Sequence, residues 1–153
     1  VYLVDTNVLS VGAPTKAERP DALIRWMDRH SDELYLSVIT VAEVEDGIAK
    51  ARRGGATRKA DRLTEWLDAV LHLYSSRIIP LDIGIARVLG RLADRARGAG
   101  QMPGLADLAI AATAQSLGYT VLTCNLRHFV ALGVAARDPI DMVANPGATM
   151  IPS

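Results

Sequence analysis

Short apolar runs recur along this chain with segments of helical period between them, and this alternation narrows its fold more than any other feature. A strand that returns only after a helix-length segment pairs in parallel through a crossover, not through a tight hairpin. The pattern therefore predicts an α/β domain with a mainly parallel sheet. The expected strands are Tyr2-Leu3-Val4, Leu34-Tyr35-Leu36, Ile78-Ile79-Pro80-Leu81, Thr120-Val121-Leu122-Thr123 and Ile140-Asp141-Met142-Val143. Proline lacks the N–H that a central strand would donate, so Pro80 places the third run at an edge. Helices are expected over 20–29, 40–53, 58–74, 83–97 and 105–117. Gly54-Gly55 separates the second from the third, and Gly98-Ala99-Gly100 stops the fourth. Within the fourth, Ile85, Val88, Leu89 and Leu92 recur at the spacing of a core-facing stripe.

A chain of 153 residues, half of them hydrophobic, can build one ordinary core. Folding at this length buries about 68–70% of the unfolded surface. Residues 1–144 read as a single domain and 145–153 as a tail. The single Cys124 cannot form an internal bridge, and no zinc-type Cys/His spacing occurs, which favours a reducing, cytoplasmic setting. Asp5 interrupts the opening apolar run, so a non-secreted protein is expected. The most apolar later stretch, residues 105–124, carries Asp107, Gln115, Ser116 and Gly118, so no membrane segment is expected. Seventeen basic and seventeen acidic side chains cancel, which argues against coating nucleic acid by bulk charge.

In open α/β sheets, ligands bind beyond the carboxyl ends of the strands. Acids recur there: Asp5 closes the first run, Glu43 lies one helical turn into the segment after the second, and Asp107 opens the helix before the fourth. Asn125 follows the fourth run directly. In a parallel sheet these ends converge on one edge, so three carboxylates and an amide oxygen would share a pocket. Carboxylates that close repel one another unless a hard divalent cation with oxygen ligands, Mg²⁺ or Mn²⁺, sits among them. Such an ion polarises a phosphoryl oxygen and acidifies bound water, the equipment for cutting a phosphodiester. Glu43, if free of the ion, could orient or deprotonate the attacking water.

Each acid also has a purely local explanation. Asp5 before Thr6-Asn7 suits an Asx-turn. Thr40-Val41-Ala42-Glu43 matches a capping box, and Asp107 in a first helical turn complements the macrodipole. Asp82 reads as the N-cap of the next helix. Only the joint placement of the other three favours chemistry. Competing motifs are missing: the chain has no G-x-G-x-x-G, no P-loop and no G-x-S-x-G elbow. None of His30, His72 and His128 follows a strand closely enough to be nominated, and a buried, inert thiol is the ordinary expectation for Cys124. Two basic clusters are available to phosphates, Arg52 and Arg53 beside the Gly54-Gly55 turn and Arg87 and Arg91 on the fourth helix; a solvated helix face explains them equally well.

Taken in order, these residues resemble the PIN domain, and within it the VapC/FitB-like ribonuclease toxins of type II toxin–antitoxin systems. The resemblance spans nearly the whole chain. It rests on Val4-Asp5-Thr6-Asn7-Val8-Leu9-Ser10, Ser37-Val38-Ile39-Thr40-Val41-Ala42-Glu43 with Gly47-Ile48, residues 105–114, Leu122-Thr123-Cys124-Asn125-Leu126-Arg127-His128-Phe129 and Asn145-Pro146. It implies a three-layer fold with a five-stranded parallel sheet flanked by helices, and an Mg²⁺-dependent endoribonuclease site built from Asp5, Glu43 and Asp107. Asp5 and Asp107 would be the principal metal ligands, with Asn125, Thr6 and Thr123 in support. The implied partners are an RNA substrate, an inhibiting antitoxin that alone contacts operator DNA, and a second copy of the chain in a homodimer or larger assembly.

Cys124 stands where an arginine is common in such chains, and neither Asn125 nor His128 supplies the fourth acid that some relatives carry. Three acids imply one firmly held ion. Two rival classes remain. A phosphotransferase using Asp5 as a covalent nucleophile usually wants a second acid two residues on, where this chain has Asn7. A non-catalytic module could use the same acids to bind a cation or a basic peptide.

Overall fold

The computed structural model describes residues 1–145; the tail beyond Asn145 lies outside the described residues. Five parallel strands form one sheet in the order β3-β2-β1-β4-β5: β1 (Tyr2–Val4), β2 (Leu34–Ser37), β3 (Ile78–Ile79), β4 (Thr120–Leu122) and β5 (Ala136–Arg137). The chain builds outward from β1 to β3 and then returns to the other side of β1. The strand order therefore reverses between β1 and β4, where α/β sheets open a ligand crevice.

The strands alternate their side chains between two apolar layers, as pleated geometry requires. Leu3 and Val121 face one cluster, with Ile85, Leu92, Ile110 and Phe129. Val4 and Leu122 face the other, with Val8, Leu23, Trp26, Leu36 and Val70. Helices α5 (Ile83–Gly98), α6 (Leu105–Leu117) and α7 (Leu126–Ala131) contribute to the first layer. The second draws on α1 (Thr6–Leu9), α2 (Asp21–Arg29), α4 (Thr57–Leu73) and α8 (Pro139–Ala144). Helix α3 (Val38–Arg53) pairs with α4 around Val44, Ile48, Ala60 and Leu67. Residues 108–114 of α6 are all buried, and its alanines allow close packing. Thr113 tolerates this burial because its hydroxyl donates to the Ala109 carbonyl at 2.7 Å.

Most expected elements recur within a residue or two, and β3 ends before Pro80 at a sheet edge, as that proline predicts. The stripe on α5 also faces the core: Ile85 and Leu92 are buried, while Val88 and Leu89 pack against them half-buried. The fifth strand is a correction. Residues 140–143 lie in α8, and the strand is the short Ala136–Arg137 before it. Asp138 caps α8 by accepting the Ile140 N–H at 2.9 Å, and Pro139 occupies the first turn, where a missing N–H costs nothing. Helix α3 also begins earlier than its capping box suggests. Ser37 is the N-cap, accepting from the Ile39 N–H at 3.1 Å, so Thr40 lies inside the helix and Glu43 is released from any capping duty. Among the described residues, no helix is long and apolar enough to cross a membrane.

Candidate active site

The ladder between β1 and β4 sets Val4 against Leu122, and the next residues on each strand meet at the switch point. Asp5 continues the ladder by donating its N–H to the Leu122 carbonyl at 2.9 Å. Its side chain is only 4% exposed. Oδ1 accepts the Thr6 N–H at 2.8 Å, capping α1, and Oδ2 accepts the Thr123 hydroxyl at 2.8 Å. The local turn and the pocket acid are thus one and the same residue.

Burial pushes the Asp5 carboxyl above its ordinary value of 3.8, and the charges of Asp107 and Glu43 push the same way. The bonds from Thr123 and Thr6 oppose them without cancelling them. The ionised form of Asp5 is therefore held at a cost, and desolvation is its largest source.

Glu43 projects from the second turn of α3, where its Oε1 accepts the Thr6 hydroxyl at 2.6 Å. That hydroxyl also lies 3.3 Å from the buried Thr40 hydroxyl, so Thr6 links the end of β1 to α3. Asp107, in the first turn of α6, has its Oδ2 3.0 Å from His128 Nδ1 on α7. Asn125 donates its N–H to the Thr123 hydroxyl at 2.9 Å and leaves its side chain uncommitted to capping α7.

Two further residues, quoted in the sequence motifs but given no role there, tie the site together. Asn7 Oδ1 accepts the Cys124 N–H at 3.2 Å, fastening the end of β4 to α1. His128 reaches Asp107 only because α7 docks beside α6. A polar residue just beyond a strand was the available clue for Asn7; His128 stood in a motif segment, but its pairing with Asp107 was not readable there. Cys124 itself is exposed, not buried as expected, because it lies beyond the end of β4 at Leu122, outside the sheet. Its thiol is nonetheless pushed up, first by partial desolvation and then by the charges of Asp138 and Asp5.

Arg52, Arg53, Arg87 and Arg91 line no hollow with these acids. Arg52 Nη1 bonds Asp61 Oδ1 at 3.0 Å across the α3–α4 turn. Arg53 lines a shallow hollow with Lys50 and Asp46. Arg87 and Arg91 flank another hollow on α5 with Asp94 and Arg95. Neither hollow includes Asp5, Glu43 or Asp107.

The donor set suits a hard divalent cation: three carboxylates, one buried and electrostatically burdened by the other two. As placed, no three His, Cys, Asp or Glu side chains among the described residues are close enough to hold an ion. Glu43 and Asp107 each engage a protein donor through one carboxylate oxygen.

A parallel sheet with this switch point, Asp5 buried at it and Glu43 and Asp107 near enough to burden its charge, defines an α/β protein with an acidic crevice. Residues 2–133 match the PIN domain family, and the chain belongs to it. It is 34% identical over 141 residues to Toxin FitB of Neisseria gonorrhoeae, covering 91% of this chain and 98% of that protein. It is 36% identical over 140 residues to VapC ribonuclease Y4jK of Sinorhizobium fredii, covering 91% and 97%. The FitAcB crystal structure from Neisseria gonorrhoeae aligns with a TM-score of 0.79 at 33% identity, over 92% of this chain and 99% of that one. The structure of FitAB bound to an IR36 DNA fragment aligns with a TM-score of 0.76 at 32% identity, over 91% and 95%.

Proposed function

We propose that this protein is a metal-dependent endoribonuclease, the toxin of a type II toxin–antitoxin pair, acting in the cytoplasm and silenced by a cognate antitoxin. One observation carries the reading: a buried aspartate at the β1/β4 switch point, burdened by the charges of two neighbouring carboxylates, in a PIN-domain chain similar over most of its length to a VapC ribonuclease.

Asp5 and Asp107 would hold a single Mg²⁺, for which Mn²⁺ can substitute. The bound ion supplies positive charge to a phosphoryl oxygen and lowers the pKa of water. The protein contributes position. Thr123 and the Thr6 N–H fix both oxygens of Asp5, so its carboxylate does not reorganise when a cation arrives. Glu43, held by Thr6, orients the attacking water and takes its proton. Asn125 offers an uncharged amide beside the substrate phosphate. Arg52, Arg53, Arg87 and Arg91 contact flanking phosphates, adding affinity without sequence information. The antitoxin, and not this chain, would engage operator DNA, with the toxin as a homodimer or part of a larger complex; the similar FitAB structure is bound to an IR36 DNA fragment.

The test is cleavage of defined tRNA, rRNA and mRNA by purified, antitoxin-free protein with Mg²⁺, Mn²⁺ or EDTA. Metal-dependent cutting abolished by EDTA is expected. A folded protein that binds Mn²⁺ yet cuts none of them would turn the reading to the rival, a non-catalytic module.

A further inference from the structure

His128 is the one histidine bonded to a proposed metal ligand, and the proposed mechanism gives it no task. Its Nδ1 lies 3.0 Å from Asp107 Oδ2, with the two side chains 55% and 27% exposed respectively. A carboxylate oxygen can only accept, so Nδ1 carries the proton whether the ring is neutral or charged. Both residues line a cleft of about 360 Å³ together with Arg127, Gln101 and Gly104.

We propose that His128 is a positioning residue for Asp107, an inference that rests on the nuclease reading. Asp107 stands on α6, with its carboxylate partly open to water, and lacks the two local donors that lock Asp5. The α7 imidazole supplies a restraint by donating to Oδ2, and the other oxygen, Oδ1, would be the one left to hold the ion. Hydrogen bonds to metal ligands of this kind typically contribute about 10–100-fold in metal affinity or activity.

Variants at a half-exposed position test this without endangering the fold. His128→Ala is expected to weaken Mn²⁺ binding about tenfold, measured by titration without RNA, and to slow cleavage comparably. His128→Asn carries an amide N–H near the place of Nδ1 and should restore Mn²⁺ affinity to near the parental value. His128→Gln carries its amide near Nε2 and should behave as His128→Ala. Parental Mn²⁺ affinity in His128→Ala, or rescue by Gln instead of Asn, would overturn the positioning role while parental cleavage leaves the nuclease reading standing. A parent protein that neither binds Mn²⁺ nor cuts RNA would overturn both.

Discussion

The carboxyl ends of β1 and β3 begin alike and end differently. Each strand is followed by an aspartate that caps a helix: Asp5 accepts the Thr6 N–H and Asp82 the Ile85 N–H, both at 2.8 Å. Asp82 stands exposed at the sheet edge, and capping is its whole task. Asp5 stands at the centre, buried between β4, α3 and α6, where the same cap also holds a carboxylate against desolvation and two neighbouring charges. A local motif thus gains a chemical role from its place in the sheet order. The central place of β1, between β2 and β4, lets α3, which follows β2, and α6, which precedes β4, both bring an acid to its end.

The comparison can be broken most sharply at Asp107, which has no counterpart around Asp82. Asp107→Asn should lower RNA cleavage by about a thousandfold, the loss expected when several kcal/mol of transition-state charge stabilisation disappear. Circular dichroism should find the fold intact; cleavage within a few fold of the parent would remove Asp107 from the site. Asp82→Ala should do the opposite, costing about 1 kcal/mol in denaturant unfolding through the lost cap while cleavage stays parental.

A finer distinction lies in pH. Because the folded pKa of Asp5 is raised above 3.8, the unfolded chain releases this proton first as pH rises. Parental stability therefore falls through a window that opens near 3.8, and the deficit persists at neutral pH. Asp5→Asn removes that decline. Compared with the parent in EDTA, the variant should gain in relative stability as pH rises from acid to neutral. A variant that loses ground over the same range would show that the charged form of Asp5 is favoured by the fold.

Much of this was legible from periodicity, because long amphipathic helices and apolar strands declare themselves over many residues. Asp5, Glu43 and Asp107 could be singled out because strand ends in a parallel sheet are predictable places. What escaped depended on short elements or on docking. Residues 140–143 alternate like a strand, yet the Asp138-Pro139 start signal outweighs four residues of pattern. Thr40 and Glu43 spell a capping box, but Ser37 starts the helix first. The pairing of His128 with Asp107 gave no sign because the two are 21 positions apart on different helices, and only the packing of α7 beside α6 brings them together.

The most direct measurement sets Asp5→Asn beside Asp82→Asn in one cleavage assay with Mg²⁺, using RNA that the parent cuts. Asp82→Asn is expected to cut at the parental rate and Asp5→Asn not at all, with both folded. Parental cleavage by Asp5→Asn would contradict the account, since the buried switch-point carboxylate would then be a helix cap and nothing more.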